Sequence, residues 1–237
     1  MDFSENTNLQ SITISNVDLE SIDFKKCKSL KSLSLSSAYV SPLDLSDLTS
    51  LETIVAYNNN LGSLDVSGCT SLSTIECYGD KLTYINMSGC TSLATLDCRS
   101  NLLTALSVPA NVRTIDCSSN QFETLDLRDC TSLETLNCYN NQLTSLRVPT
   151  GIQGLNCSNN QLTTLDLEGC AAVRYVNCEY NLFETLDVSP CMAMTSLNCS
   201  DNKFLKILYM AEGQSIDGIT YRRSTSCIPE ATEIVVK

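Results

Sequence analysis

The sequence contains no histidine and no tryptophan, and its fourteen cysteines never occur as a Cys-x-x-Cys pair. Histidine is the usual general base, so its absence excludes the Ser–His and Cys–His pairs that activate a nucleophile. The common zinc-ligand spacings are missing as well, and no glycine-rich phosphate-binding loop is present. We therefore expect a protein that is not an enzyme and that needs no metal ion or organic cofactor.

Basic residues and long apolar segments are also scarce. Fifteen lysines and arginines stand against 27 aspartates and glutamates, which gives a formal net charge of -12. Nucleic acids and anionic membranes attract positive charge, so this balance argues against a nucleic-acid partner. No run of about 20 apolar residues occurs, so we expect no membrane insertion by this segment. Residues 1–8 lack the basic and apolar regions of a signal peptide.

What the sequence does contain is one short pattern that is repeated along most of its length. Residues 133–143, LETLNCYNNQL, carry apolar side chains at offsets 0, 3, 5 and 10 and asparagine at offset 8. Seven of the nine intervals between repeats are 21 residues, and the two of 19 residues contain Val-Pro in place of a longer turn. This period predicts a solenoid, in which each repeat is stabilised by stacking on its neighbours. The ten repeats begin at Leu9, Leu30, Leu51, Leu72, Leu93, Val112, Leu133, Ile152, Val173 and Met194.

Each repeat contains two extended segments. Offsets 2 to 6, as in residues 135–139, alternate polar and apolar side chains, which predicts a half-buried strand. We expect about ten such strands to form a single parallel sheet on one face, because the return segments are too short for a long helix. Offsets 10, 13 and 15 are apolar too, as in Leu162, Leu165 and Leu167. They predict extended or 3-10 segments on the convex side, and the sequence leaves that choice open.

The cysteines follow the repeat and indicate packing. Seven occupy the third apolar position, offset 5, and six more stand at offset 18. Free cysteine behaves as a small buried hydrophobe, so we expect reduced thiols that line a narrow core. Neighbouring thiols on parallel strands point side by side, which does not favour the disulfide torsion. Cys227 lies outside this register, and the sequence does not determine its state.

Two polar positions also recur. Offset 8 is asparagine in seven repeats, with Asp80 as a relative, and an inward amide there can bond the backbone of neighbouring turns. Offset 14 is often aspartate, which suggests either a calcium-binding row or carboxylates that accept backbone N–H groups of a turn. We favour the turn, because known calcium-repeat spellings are absent. These aspartates are Asp23, Asp44, Asp65, Asp126, Asp166 and Asp187.

The pattern weakens at both ends of the chain. Residues 1–8 correspond to the second half of a repeat, either an N-terminal cap or the remainder of a longer precursor, and we favour the precursor. Residues 9–204 form the repeat domain, and residues 205–237 are expected to cap its last repeat. Within this C-terminal cap we expect one last extended arc at residues 207–210. A short strand should follow at residues 233–236, after the turn signal of Pro229.

The spelling C-x-x-L-x-x-L-x-C-x-x-N-x-L-x-x-L-D-L/V-S, as in residues 170–189, resembles that of leucine-rich repeat proteins. It is most similar to the 21-residue type of secreted or surface proteins of Bacteroidetes, and more distantly to internalins. The resemblance covers residues 9 to 208. It implies a leucine-rich repeat solenoid, a bacterial secreted or cell-surface location and a role in recognition. Host-cell invasion does not follow from it.

Recognition residues are expected on the outward positions of the sheet, at offsets 2, 4, 6 and 7. Tyrosine is typical of binding surfaces, so we expect two tyrosine patches that flank Asp97, Arg99 and Asp116. The first is Tyr57 with Tyr78, and the second is Tyr139 with Tyr175 and Tyr180. The sequence therefore predicts a monomeric protein that binds a protein or peptide ligand, with carbohydrate binding as the alternative. Adjacent Asp97 and Asp116 could suggest acid–base catalysis, but an open sheet gives them no cleft. The predicted ligand-binding residues are Tyr57, Glu76, Tyr78, Asp97, Arg99, Asp116, Asn137, Tyr139, Tyr175, Glu179 and Tyr180.

Overall fold

The computed structural model describes Phe3 and residues 5–19, 22–40, 43–214, 219–220 and 232–237. The chain divides into two compact units, Met1–Gln121 and Phe122–Lys237. Both are built from the same turn of strand and return segment, and the described residues contain no helix. Accordingly, no helix in this part of the chain is long and apolar enough to cross a bilayer. The predicted leucine-rich repeat solenoid with a parallel sheet on one face is confirmed.

The described residues of the first unit form nine strands in two parallel sheets. Strands β1, β2, β4, β6, β8 and β9 pair in that order on the sheet face, and β3, β5 and β7 pair on the convex side. The strands are β1 (Ser11–Ser15), β2 (Ser32–Ser36), β3 (Leu43–Asp44), β4 (Thr53–Tyr57), β5 (Ser63–Asp65), β6 (Thr74–Tyr78), β7 (Tyr84–Asn86), β8 (Thr95–Asp97) and β9 (Thr114–Asp116).

The second unit has ten strands in the same arrangement. Strands β11, β13, β14, β16 and β18 form the sheet face. On the convex side there are two groups: β10 pairs with β12, and β15, β17 and β19 pair in that order. The strands are β10 (Thr124–Asp126), β11 (Thr135–Asn137), β12 (Ser145–Arg147), β13 (Gly154–Asn156), β14 (Tyr175–Asn177), β15 (Thr185–Asp187), β16 (Ser196–Asn198), β17 (Ile207–Met210), β18 (Ile219–Thr220) and β19 (Glu233–Val236). The convex segments, left open by the sequence, are therefore mostly short strands.

The strands pair without a register shift, so that equivalent residues of successive repeats lie side by side. Ile54 faces Ile75, and Ala56 faces Cys77, across β4 and β6. All four of these side chains are fully buried, whereas Tyr57 and its neighbours at even offsets are at least partly exposed. The period-two alternation thus sets one apolar side against the core of each repeat.

The asparagines at offset 8 form the predicted ladder. Asn101 is typical: its Nδ2 donates to the carbonyls of Cys77 at 2.7 Å and Cys98 at 3.0 Å. Its Oδ1 accepts the N–H groups of Asp80 at 3.0 Å and Leu82 at 2.9 Å. One side chain thereby satisfies four backbone groups, three in the preceding repeat and one in its own. The buried ladder residues are Asn59, Asn101, Asn120, Asn160, Asn181 and Asn202.

The sheet-face strands are not all as long as the sequence predicts. β1, β2, β4 and β6 span offsets 2 to 6, but β8, β9, β11, β13, β14 and β16 end at offset 4. In these six strands offset 4 is Asp or Asn. Its Oδ1 accepts the backbone N–H two residues later, as Asn156 does from Ser158 at 3.2 Å. That N–H is withdrawn from the ladder to the preceding strand, so the strand ends early.

The ladder asparagine compensates for this early ending. In a parallel pair, the N–H at offset 6 would donate to the carbonyl at offset 5 of the preceding repeat. Where an Asp or Asn takes that N–H, the carbonyl instead accepts from the ladder amide. Cys98 O, for example, receives Asn120 Nδ2 at 2.9 Å, while Asp116 Oδ1 receives the Ser118 N–H at 3.0 Å. The two polar positions therefore act together.

The aspartates at offset 14 belong to the convex turns. In all six, Oδ1 accepts the backbone N–H two residues later, as in the 2.9 Å bond from Ser67 to Asp65. The same contact occurs at Asp23, Asp44, Asp126, Asp166 and Asp187. This confirms the turn interpretation of the row.

The cysteines pack inside the repeats, as predicted. Thirteen are free and buried, and Cys227 lies outside the described residues. At offset 18 the thiols also donate to backbone carbonyls, from Cys69 to Leu45 and from Cys90 to Val66, both at 3.1 Å. A small side chain with a weak donor suits the narrow space between the sheet-face strand and the convex segment of a repeat.

The ends of the chain are tied to the repeats next to them. At the N-terminal end, the Phe3 ring stacks on Phe24 with centroids 5.8 Å apart. At the other end, β17 and β19 occupy the two segments predicted to be extended. Gln214 Nε2 donates to the carbonyls of Val188 and Cys191 at 3.0 and 2.9 Å. Pro229 lies outside the described residues, and the domain boundaries at residues 8 and 204 stay predictions.

Asp80 is the exception in the ladder. It is fully buried, and its Oδ1 accepts the N–H of Asn59. Its Oδ2 has no hydrogen-bond partner within the described part of the chain. By the 21-residue repeat this atom takes the place of Asn59 Nδ2, which donates to Leu35 O at 3.1 Å, and so faces the carbonyl of Ala56. A carboxylate has no proton to donate there, and burial raises the pKa of Asp80 to about 6.

We expect Asp80→Asn to stabilise the folded protein at neutral pH by about 2 kcal/mol, because the amide supplies the missing donor and removes a buried charge. The wild-type carboxyl holds its proton more tightly in the folded state than in the unfolded state, where its pKa is 3.8. The advantage of the variant should therefore be small below pH 3.8 and grow as the pH rises through about 6. Urea denaturation of both proteins across this range measures it.

The reciprocal control is Asn101→Asp, which removes donors from an intact rung and should destabilise the protein with the same pH dependence. A stability difference between Asp80→Asn and the wild type that is equal at every pH would contradict this account of the buried carboxyl.

Candidate functional site

The sheet face of the first unit presents three rows of side chains. Offset 2 is a row of serines and threonines, offset 4 carries Val55, Glu76, Asp97 and Asp116, and offset 6 carries the larger groups. We call the set Val55, Tyr57, Glu76, Tyr78, Asp97, Arg99 and Asp116 the first face. Strand pairing places six of these seven residues on neighbouring strands. The seventh, Arg99, lies two residues after the end of β8.

The first face contains a continuous stack of planar groups. The rings of Tyr57 and Tyr78 are nearly parallel, with centroids 5.3 Å apart and an interplanar angle of 3°. The Arg99 guanidinium lies over the other side of Tyr78, with Cζ 4.9 Å from the ring centroid. Arg99 Nε is also 3.4 Å from an Asp97 carboxylate oxygen. The structure thus brings together the first predicted tyrosine patch and adds a cation to it.

The long strands β4 and β6 make this stack possible. Their offset 4 residues are Val55 and Glu76, neither of which ends the strand as Asp or Asn does. Tyr57 and Tyr78 therefore remain inside paired strands, where equivalent side chains are about 4.8 Å apart, close to the separation for stacked rings. In the repeats whose sheet-face strand ends at offset 4, the residue at offset 6 differs. It is a buried serine in three repeats, and Arg99, Tyr139 or Glu179 in the others.

The three acids of the first face differ in their surroundings. Asp97 and Asp116 both serve their turns, and Asp116 accepts from Ser118 Oγ at 2.6 Å. Burial raises the pKa of Asp97, and the like charges of Asp116 and Glu76 raise it further, against the opposing effect of Arg99 and of a backbone N–H. The Glu76 carboxylate makes no hydrogen bond or ion pair within the described part of the chain. The arrangement suits binding of a cation on an open surface.

The predicted residues of the second unit are not brought together in the same way. Tyr139 follows β11, two repeats from Tyr180, with the repeat of β13 between them. Tyr175 begins β14 and so stands at the opposite end of the strand from Tyr180. No two of these three rings stack on each other in the described structure. The second predicted patch therefore does not form a stack like the first, and its role in binding stays a prediction.

Two more predicted residues of this unit have structural contacts. Asn137 Oδ1 accepts the N–H of Tyr139 at 3.3 Å, so it belongs to the row that ends the strands. Glu179 accepts from Asn198 Nδ2 at 2.9 Å and from Ser200 Oγ at 3.3 Å, which ties it to the next repeat. Both side chains therefore bond residues at the ends of the strands and are also partly exposed to solvent.

Tyr180 stands out by its backbone. Its φ is 52°, in the left-handed region, where the equivalent residues Asn140, Asn159 and Asp201 also lie. Asn and Asp tolerate this region, but a bulky aromatic side chain there is uncommon. The side chain is 54% exposed, and a hydrogen bond to Asp201 raises the pKa of its hydroxyl. The fold would accept asparagine here, so the tyrosine points to a role at the surface.

The cysteines do not form a reactive site. Burial raises the pKa of Cys157 to about 12, and it raises those of Cys77, Cys98 and Cys178 well above their ordinary value. Such thiols stay protonated at neutral pH and are poor nucleophiles. Within the residues that the structure describes, no cluster of three or more Cys, Asp or Glu side chains is placed to hold a metal ion.

In six repeats the outward residue at offset 4 also bonds its own turn, a second role that the sequence analysis did not consider. The signal was present as the spacing Asp-x-Ser or Asn-x-Ser, at Asp116, Asn156 and Asn198. In each case the hydroxyl and N–H of the serine donate to the same Oδ1. Val55 and Glu76, which lack this spacing, mark the part of the sheet that is free to vary.

Comparisons with known proteins agree with this fold. A family model for two copies of leucine-rich repeats matches residues 110–149. No curated protein matches the chain significantly. Many solved structures do, and three of them illustrate the range of similarity.

The functional domain of InlJ from Listeria monocytogenes, which includes a cysteine ladder, is 29% identical with a TM-score of 0.73, over 87% of this chain and 49% of that one. The LRIM1/APL1C complex gives 22% identity and a TM-score of 0.74, over 88% and 40%. YopM, a leucine-rich effector protein from Yersinia pestis, gives 23% identity and 0.67, over 89% and 62%. The chain therefore spans about half the length of the InlJ domain, and the latter two likenesses show the fold alone.

We expect Tyr180→Asn to stabilise the protein by about 0.5 to 1 kcal/mol, because asparagine adopts the left-handed conformation more readily than tyrosine. The gain should appear as a higher urea midpoint at unchanged slope. The matched control, Asn159→Tyr, places tyrosine at the equivalent position of the preceding repeat and should lower the midpoint. If Tyr180→Asn lowered the midpoint instead, the tyrosine would be explained by stability rather than by a surface role.

Proposed function

We propose that this protein is a non-enzymatic binding module that recognises a protein or peptide ligand through the exposed face of its parallel sheet. The observation that carries the proposal is the stack of Tyr57, Tyr78 and Arg99 on the first face. Tyrosine and arginine are enriched in protein interfaces, where they provide large, rigid contact areas with polar tips. A shallow, rigid sheet suits a protein surface or an extended peptide better than a small molecule, which needs a concave pocket.

The fold itself does not require the stack. Strand pairing places Ser36 beside Tyr57, and Ser118 holds the equivalent offset two repeats beyond Tyr78. Serine thus serves the same position in neighbouring repeats of the same unit. Two adjacent tyrosines at a position that tolerates serine are more simply explained by what they contact outside the chain.

The comparisons support a binding role at the level of the fold. One of the solved structures with this fold is that of the LRIM1/APL1C complex. The likeness to InlJ, which shares a cysteine ladder, supports a bacterial secreted or cell-surface setting such as the Bacteroidetes-type resemblance implies. A monomeric state stays a prediction, and so does the absence of a nucleic-acid partner, which is based on the net charge of -12.

Peptide-library selection tests the proposal. Random linear peptides displayed on phage are selected against the wild-type protein and then measured on the double variant Tyr57→Ser, Tyr78→Ser. We expect selected peptides to lose more than about tenfold in affinity, because the variant removes two central aromatic side chains. Circular dichroism should show that the variant is folded, as serine occupies the same position in neighbouring repeats.

The control variant is Tyr84→Ser, which removes an equally prominent tyrosine, 59% exposed, from the convex side. It should bind the peptides like the wild type. Peptides that bind the double variant as well as the wild type would place recognition elsewhere. A glycan array run in parallel tests the carbohydrate alternative, which hits on sugars without any selected peptide would favour.

A further inference from the structure

The stack on the first face ends in an open aromatic surface. One side of the Tyr78 ring is covered by Tyr57 and the other by the Arg99 guanidinium. Tyr57 is covered by Tyr78 on one side, and its other side is directed toward Ser36, its partner in the strand register. Serine is too small to cover a phenol ring, so one aromatic face is left to receive a group from a ligand.

Arg99 shows which chemistry this surface accepts. Its guanidinium lies 4.9 Å from the centroid of Tyr78 while the same side chain pairs with Asp97. A planar cation can combine stacking on an aromatic ring with hydrogen bonds to a carboxylate, which an ammonium group does less well. A second guanidinium on the open side of Tyr57 would extend the stack from Arg99–Tyr78–Tyr57 by one step.

The groups next to Tyr57 complete such a site. Val55 precedes Tyr57 by two residues on the same face and offers an apolar surface to the aliphatic stem of an arginine. Glu76 is the strand partner of Val55, about 4.8 Å away across the sheet, and its carboxylate has no partner within the described structure. It lies on the side of Tyr57 that Tyr78 covers, so its negative charge attracts a cation at the open side through space without contacting it.

The charge of the surroundings favours the same ligand. Glu76, Asp97 and Asp116 follow one another on adjacent strands, and Arg99 is the one basic residue of the first face. Like charges in the row raise the pKa of Asp97, so an added cation would relieve their repulsion. The whole chain has a net charge of -12, which would attract a basic segment over a longer range.

We propose that the first face binds an arginine-containing peptide segment, with an arginine side chain stacked on the open side of Tyr57 and attracted by the nearby charge of Glu76. The inference rests on the proposed binding function and names the chemistry of its ligand. The peptide runs over the sheet face, and any further basic residue it carries lies toward Asp97 and Asp116. A ligand that offers only lysine side chains, which carry no planar cation, does not satisfy this site.

The test uses a synthetic Gly/Ser peptide with two arginines and three analogues that carry lysine, citrulline or glutamate in their place. Binding to the isotope-labelled full chain is followed by NMR titration. We expect the arginine peptide to shift the signals of Val55, Tyr57 and Glu76 and to bind about threefold or more tightly than the lysine peptide. Citrulline keeps the planar shape without the charge, and it should weaken binding by at least about tenfold, as should glutamate.

Three variants assign the contacts. Tyr57→Leu keeps an apolar side chain but removes the aromatic face, and should weaken the arginine peptide about fivefold while Tyr57→Phe leaves it unchanged. Glu76→Gln should weaken it by a similar factor and reduce its salt dependence. Equal affinity for arginine and lysine peptides, together with no effect of Tyr57→Leu, would overturn the proposal in favour of simple charge attraction. Signals that move only outside the first face would overturn it as well.

Failure of this inference is distinguishable from failure of the proposed function. If library selection gives peptides that depend on Tyr57 and Tyr78 but are not enriched in arginine, the binding function stands and the arginine site falls. If no peptide is selected and the synthetic peptides do not bind, both fall.

Discussion

The structure depends on one requirement, which is that the buried turn after each strand must have its backbone hydrogen bonds satisfied without a helix. The asparagine at offset 8 meets this requirement by donating to two or three carbonyls and accepting one or two N–H groups, as Asn101 does. Its contacts with the preceding repeat fix the register between repeats. The narrow space that remains inside is filled by leucine, isoleucine and cysteine, whose small thiol fits beside the ladder.

The same requirement limits what the sheet face can be used for. Where Asp or Asn stands at offset 4, it ends the strand and is committed to its own turn, although it faces solvent. The ladder amide then takes over the released carbonyl. Exposure on this face is therefore not the same as freedom to vary. The repeats of β4 and β6 have Val55 and Glu76 at this position. Among the described strands of the sheet face, these two successive strands are the ones that present stacked aromatic rings.

Periodicity carried most of the fold prediction, because a 21-residue period fixes which side chains can point inward in each repeat. The strands, the asparagine ladder, the buried thiols and the aspartate turns all followed from it. The strand lengths did not, since they depend on competition between side-chain and main-chain acceptors for one N–H, as at Ser158. Which side chains stack was not predictable either, since Tyr139, Tyr175 and Tyr180 share the sheet face without forming the contact that Tyr57 and Tyr78 make. The strained backbone of Tyr180 is a property of the turn that no composition reveals.

Apart from the two N-terminal repeats, the departures from the repeat pattern are concentrated in the repeats that carry the stack. In the repeat of β6 alone, offset 4 is Glu76 in place of Asp or Asn, offset 6 is Tyr78, and offset 8 is Asp80 in place of the ladder asparagine. The first change keeps the strand long, the second supplies the ring, and the third leaves a buried carboxylate oxygen without a donor directly behind the turn. Local rules are usually broken together where a surface serves something other than stability. Because Asp80→Asn should improve stability and serine holds the position of Tyr57 in a neighbouring repeat, these departures agree with the binding role proposed for this face.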